Sequence, residues 1–179
     1  MRIFQAFLRY LLVALVALPG LAIFYSIFKP LTVHPSYWIF DLIFQTVSLE
    51  RNSILIGSDF VINIINSCVA GSAYYLLFAL NMSVPNKGLK KRSKMIGLGF
   101  LALLLLNLLR IFLLGSMFAS GSSESLFDAS HKAFWLLGST VFVVAIWFTE
   151  VKIFNIKEIP VYTDIKHSLK LLKDSKNYG

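Results

Sequence analysis

Long apolar runs broken by short polar groups dominate the chain. Residues 10–28, 69–84, 95–118 and 131–149 are each almost wholly apolar. A helix crossing the hydrocarbon core needs roughly 20 such residues, within a range of about 17–25. The third run is the strongest, with Leu101-Ala102-Leu103-Leu104-Leu105-Leu106 at its centre. Helices satisfy their own backbone amides in lipid, so four runs predict an all-α integral membrane protein with four transmembrane helices. Arg2 and Arg9 precede the first run as in a signal peptide. The run is longer than an ordinary signal core, however, and no small-x-small cleavage site follows Pro19 and Gly20, so it reads as a retained helix.

Two further elements are expected between the first and second runs. Residues 37–49 are apolar and aromatic, with Asp41, Gln45 and Ser48 on one helical stripe. That pattern suits a helix lying in the outer interface or dipping into it. Residues 53–66 hold two β-branched runs, Ile54-Leu55-Ile56 and Phe60 to Ile65, around Gly57-Ser58-Asp59. They read either as a short β-hairpin or as an extended loop packed on the bundle. Residues 1–149 then form one membrane domain and residues 150–179 a basic tail. Within that tail, residues 161–173 fit a short amphipathic helix on the inner leaflet or a solvated segment.

Composition agrees. The 179 residues are 57% hydrophobic and 15% charged, with a mean hydropathy of +0.73. A soluble domain needs about a quarter charged residues to cover its surface. A cytosolic globule and a disordered chain are thereby excluded. The single cysteine excludes a disulfide scaffold. The net charge of +8 would suggest nucleic acid in a soluble protein, but the basic residues form short groups beside the apolar runs, without aromatic stacking partners. Arg2 and Arg9, the group Lys87 to Lys94, and the lysines from Lys152 onward hold thirteen of the seventeen basic residues. Four crossings put all of these on one side, which the positive-inside rule makes cytoplasmic. The expectation is a multi-pass cell-membrane protein with both termini inside and residues 29–67 and 119–130 outside.

Against this apolar background Cys68, Asn107, Arg110 and His131 stand out. A guanidinium at the centre of a span costs about 2.5–3.5 kcal/mol on insertion scales, so Arg110 calls for a partner or a wet cavity. Cys68 and His131 open the second and fourth runs at their outer ends. Arg110 lies eight residues before Phe118, about 12 Å deep at 1.5 Å per residue, and its side chain can snorkel outward. All three can meet near the outer face. Asn66 and Ser67 are good N-caps and would set Cys68 in a first helical turn, where amides favour a thiolate. Arg110 adds a permanent cation, and Asn107, one turn away, is placed to orient it or donate beside it. Gly71 and Ser72, three and four residues after Cys68, would leave room for a substrate backbone. His131 suits proton transfer, and a cysteine with a distant histidine is the minimum for thiol acyl transfer. His34, Asp41 and His131 lack paired ligand spacing, so no metal or cofactor is expected.

The order Cys…Arg…His at outward-facing helix ends resembles the exosortase/archaeosortase family of membrane cysteine transpeptidases. Asn107-Leu108-Leu109-Arg110-Ile111 is similar to that family's Asn-x-x-Arg-Ile signature. The resemblance covers roughly residues 60–140 and is to the compact, archaeal type. It departs at Val69-Ala70, where family members often carry Ser or Gly directly after the cysteine. The resemblance implies Cys68 as nucleophile, Arg110 as oxyanion stabiliser and His131 as the proton-transfer residue. It also implies exported substrates whose C-terminal tail carries a short motif, a membrane helix and a basic end, cleaved near the extracellular face. The acceptor would be a lipid amine or water. The competing expectation is a non-catalytic assembly factor or channel subunit, with Arg110 a pairing residue and Cys68 inert.

Overall fold

The computed structural model describes residues 2–19, 21–44, 47–57, 60–85, 87–119 and 139–156, together with 129, 132 and 133. Within these, the chain is mostly helical with a small antiparallel sheet. The elements run α1 (Arg2–Ala17), α2 (Ala22–Ile43), β1 (Val47–Glu50), β2 (Ser53–Ile56), β3 (Phe60–Asn63), α3 (Asn66–Val69), α4 (Gly71–Ser83), α5 (Leu89–Ala119) and α6 (Ser139–Ile153).

Helix α5 organises the rest, and its two faces differ in purpose. One stripe is buried and includes Met95, Gly99, Leu103, Asn107, Arg110 and Leu114. The opposite stripe, Leu98, Leu101, Leu105, Leu109 and Leu113, is exposed. Both recur at the three-to-four-residue spacing of a helix. Two glycines on the buried side set how closely neighbours approach. A Cβ at Gly99 would strike the Glu150 carboxylate of α6, and one at Gly115 would strike Phe40 of α2 and Ile62 of β3. Between them an aromatic cluster joins α2, α4 and α5. Phe28 stacks on Tyr74 at 3.6 Å between ring centroids, and Phe100 meets both rings edge-on at 5.3 and 5.5 Å. Such edge-to-face and stacked pairs add about 0.5–1.5 kcal/mol each beyond the area they bury.

The sheet has the order β1-β2-β3. β2 and β3 form the hairpin read from the sequence, with Ser53 opposite Asn63 and Ile56 opposite Phe60. The extended-loop alternative is thereby set aside. Strand β2 is central and turns Ile54 and Ile56 into the core, where they join Phe40, Ile64 and Val69. Gly57, at a φ of 64°, begins the turn after it, a conformation that suits a residue without a Cβ.

Three expectations are corrected. Residues 10–28 do not form one straight helix: the axes of α1 and α2 differ by 67°. Residues 37–49 are not a separate interfacial helix. Helix α2 continues past Lys29, Pro30 and Pro35 to Ile43, because Phe24, Phe28, Val33 and Phe40 bury along it. Residues 47–49 then leave the helix and pair with β2 as strand β1. Four membrane-length helices are also not found. Among the described residues α5 alone is long and apolar enough to cross a membrane, and α1 with α2 passes only as a bent pair. Helix α4 has 13 residues, below the usual crossing length, and the end of the fourth run lies in α6, of which 15 residues are described. Residues 131 and 134–138 of the fourth run, and the 161–173 segment, lie outside the described residues.

Candidate active site

Cys68 sits in a helix only one turn long. Its amide donates to the Ile65 carbonyl at 2.9 Å. Helix α3 ends at Ala70, which adopts the left-handed conformation at φ 58° and ψ 38° and also begins α4. This break has a direct chemical consequence. In an unbroken helix the Cys68 carbonyl would accept from the amide four residues later, but a helix end leaves its last carbonyls without such a partner. Two side chains of α5 take that place. Asn107 Nδ2 donates to the Cys68 carbonyl at 2.8 Å, and Arg110 Nη2 donates to the same oxygen at 3.1 Å.

The pair is built by helix periodicity. Asn107 and Arg110 are one turn apart on the buried stripe of α5, and they are 3% and 8% exposed. Both groups therefore reach one atom that is 39 and 42 residues away in sequence. Cys68 itself is half-buried, and its side chain is an electrostatic neighbour of the guanidinium. So is Tyr74 of α4, which is fully buried and stacked on Phe28. The Tyr74 hydroxyl has no hydrogen-bond partner among the described residues.

Sequence reasoning and geometry meet on Cys68, Asn107 and Arg110, with one change: the donors hold the cysteine's backbone carbonyl. Three other details differ. Ile65 is the residue at the N-terminal boundary of α3, and no side chain caps that helix, so Asn66 and Ser67 are not its caps. The left-handed turn at Ala70 takes Gly71 and Ser72 off the helix that carries Cys68. Gly71 is buried against α2, where a Cβ would lie 2.6 Å from Tyr25 Cε1. Its small size serves helix packing, and Ser72 is exposed. His131 lies outside the described residues.

A second polar cluster was not read from the sequence. At the far end of α4, Arg92 of α5 donates to the carbonyls of Asn81, Met82 and Val84 at 2.6–2.8 Å. Arg9 of α1 adds Nη1 contacts to Val84 at 2.9 Å and Ser83 at 3.4 Å. The Asn81 side chain donates to Glu150 Oε2 at 2.9 Å. Arg92, Asn81 and Glu150 are all buried. The available signals were faint. Arg92 lay within a basic group and Glu150 at the end of an apolar run, where charges are ordinary. No group of three or more metal-ligating side chains occurs among the described residues.

The fold and site thus define a mostly helical protein in which an apolar, membrane-length helix clamps the main chain beside a lone cysteine. No protein-family model, curated protein or solved structure matches the chain.

Proposed function

We propose that this chain is a membrane cysteine peptidase or transpeptidase of archaeosortase-like type, acting on the C-terminal sorting tails of exported proteins. One observation carries the reading: Asn107 and Arg110 converge on the main chain of Cys68 from the buried face of an apolar helix. A cysteine held beside a desolvated guanidinium suits thiol acyl transfer, since the cation favours a thiolate and can stabilise an oxyanion. The leucine stripe on the other face of α5 supports a lipid setting, since contiguous exposed apolar surface is unfavourable in water. In this reading the chain is a multi-pass membrane protein, with both termini cytoplasmic and the site near the extracellular face.

The steps follow from the residue types. Cys68 thiolate attacks the scissile carbonyl carbon, forming a C–S bond and a tetrahedral oxyanion. Arg110 stabilises that oxyanion with donors beyond the one on Cys68, since a guanidinium carries five N–H groups. The C–N bond breaks, His131 protonates the departing amine, and a thioester remains. An incoming lipid amine or water then attacks the thioester, His131 takes its proton, and the thiolate is restored.

The test is co-expression of the full chain with an exported reporter ending in a short motif, an apolar span and a basic terminus. The wild-type chain should remove the tail and Cys68→Ala should not. Undiminished processing by Cys68→Ala ends the nucleophile assignment.

A structural reading has an observation of its own, because both donors meet a carbonyl, as a purely architectural cap would. An assembly factor or channel subunit built this way would keep Cys68 inert. Slow alkylation of Cys68 by mild outer-side reagents, unchanged in an Arg110 variant, would favour that reading.

A further inference from the structure

Strand β3 is an edge of the sheet and leads through Ile64 and Ile65 into α3, whose third residue is Cys68. Which of its backbone groups face outward can be worked out. Along a strand, successive residues turn their N–H and C=O groups to opposite sides. The Ile64 amide donates to the Asn52 carbonyl at 2.9 Å, on the β2 side. Ile62 and Phe60, in step with Ile64, therefore also face β2, where they oppose Ile54 and Ile56. Val61 and Asn63 face the other way, and no described strand pairs with them. The other edge of the sheet differs, because β1 lies alongside α2.

The side chains of β3 sort by the same alternation. Phe60 and Ile62 pack on the outer part of α5, Phe60 edge-on to Phe118 at 5.5 Å and Ile62 against Gly115. Val61 and Asn63 are exposed. The edge thus offers main-chain donors and acceptors at every second residue, above an apolar floor. An extended peptide matches that spacing, since only a strand repeats its own donors and acceptors with the same period.

We propose that β3 is the substrate-binding edge: an extended segment of the substrate pairs with the main chain of Val61 and Asn63, which directs its scissile bond toward Cys68. This rests on the peptidase reading above. Substrate residues opposite Val61 and Asn63 are tolerant of side chain, and the residue between them is apolar, because it faces Phe60, Ile62 and α5.

The test uses the full chain in membranes and reads the rate at which Cys68 is alkylated. The probes are iodoacetamide, an apolar tetrapeptidyl chloromethyl ketone, and two versions of that peptide N-methylated on alternate sets of amides. Strand pairing requires one methylated set to label about tenfold slower than the parent and the other set to match it, since only one set faces β3. In Val61→Pro, which removes one outward amide and sets a ring where a paired strand's carbonyl would lie, the gap between the two sets should narrow. Equal rates for both methylated peptides on the wild-type chain overturn strand pairing, while rapid iodoacetamide labelling leaves the nucleophile reading intact. A difference that persists undiminished in Val61→Pro overturns β3 as the edge. Failure of every reagent to label Cys68 overturns the nucleophile reading and the subsite with it.

Discussion

The short helix α4 and the one-turn helix before it are held at both ends by arginines, and the two ends differ instructively. At one end Arg92 donates to the carbonyls of Asn81, Met82 and Val84, and Arg9 to those of Ser83 and Val84. This is a capped helix terminus: cationic donors meet the last carbonyls, where the helix dipole also favours positive charge. At the other end Asn107 and Arg110 meet a single carbonyl, freed by a left-handed residue and belonging to the lone cysteine. A buried arginine is therefore not in itself a functional signal. The difference lies in what stands beside it. Arg92 is surrounded by main chain and the Asn81–Glu150 pair, whereas Arg110 stands beside a half-buried thiol.

Substitutions can break this comparison in order of severity. Arg92→Leu should act on stability first, since it leaves the buried Asn81 and Met82 carbonyls without that donor and Val84 with Arg9 alone. A loss of about 3 kcal/mol or more is expected in thermal unfolding of the detergent-solubilised chain. Wild-type stability in that variant would mean the Arg92 end is no structural cap. Arg110→Lys keeps charge but not the planar fork. It should lower tail processing by about 10²–10³, the effect of removing an oxyanion donor. Near-normal processing would take Arg110 out of that role.

Smaller effects sharpen the contrast. Gly99→Ala pushes a methyl into the Glu150 carboxylate and Leu77. Overpacking of this kind typically costs about 1–3 kcal/mol, read by thermal unfolding, and Cys68 alkylation should not change. Asn107→Leu should have the least effect, about 1 kcal/mol, because Arg110 still donates to the same oxygen. Combining it with Arg110→Lys should cost more than the two separate losses added together, since the carbonyl then loses both partners. Simple additivity would show that the two donors do not share that acceptor.

Much of the candidate site was legible because helix periodicity is local. Asn107 and Arg110 fall on one stripe by spacing alone, and the apolar composition around them makes both conspicuous. The hairpin was legible for a similar reason, from β-branched runs about a glycine turn. Strand β1 was not, because its apolar residues continue those of α2 and only pairing with β2 separates them. The helix break after Cys68 was equally hidden. Ala70 is a strong helix former, and nothing in its neighbours signals a left-handed conformation.

By itself, then, the sequence determined an apolar, mostly helical chain with four membrane-length runs, of which α5 alone is a helix of that length among the described residues, a hairpin or packed loop, and a cysteine, asparagine and arginine that could converge. Those features depend on composition and on periods of two and about 3.6 residues, which neighbouring positions define. Only the tertiary structure decided that the donors grip the Cys68 carbonyl, that Gly71 packs on Tyr25, and that Arg92 and Glu150 are buried. Each of these depends on groups brought together from distant parts of the chain, where hydrogen-bond satisfaction and close packing select partners that no local pattern specifies.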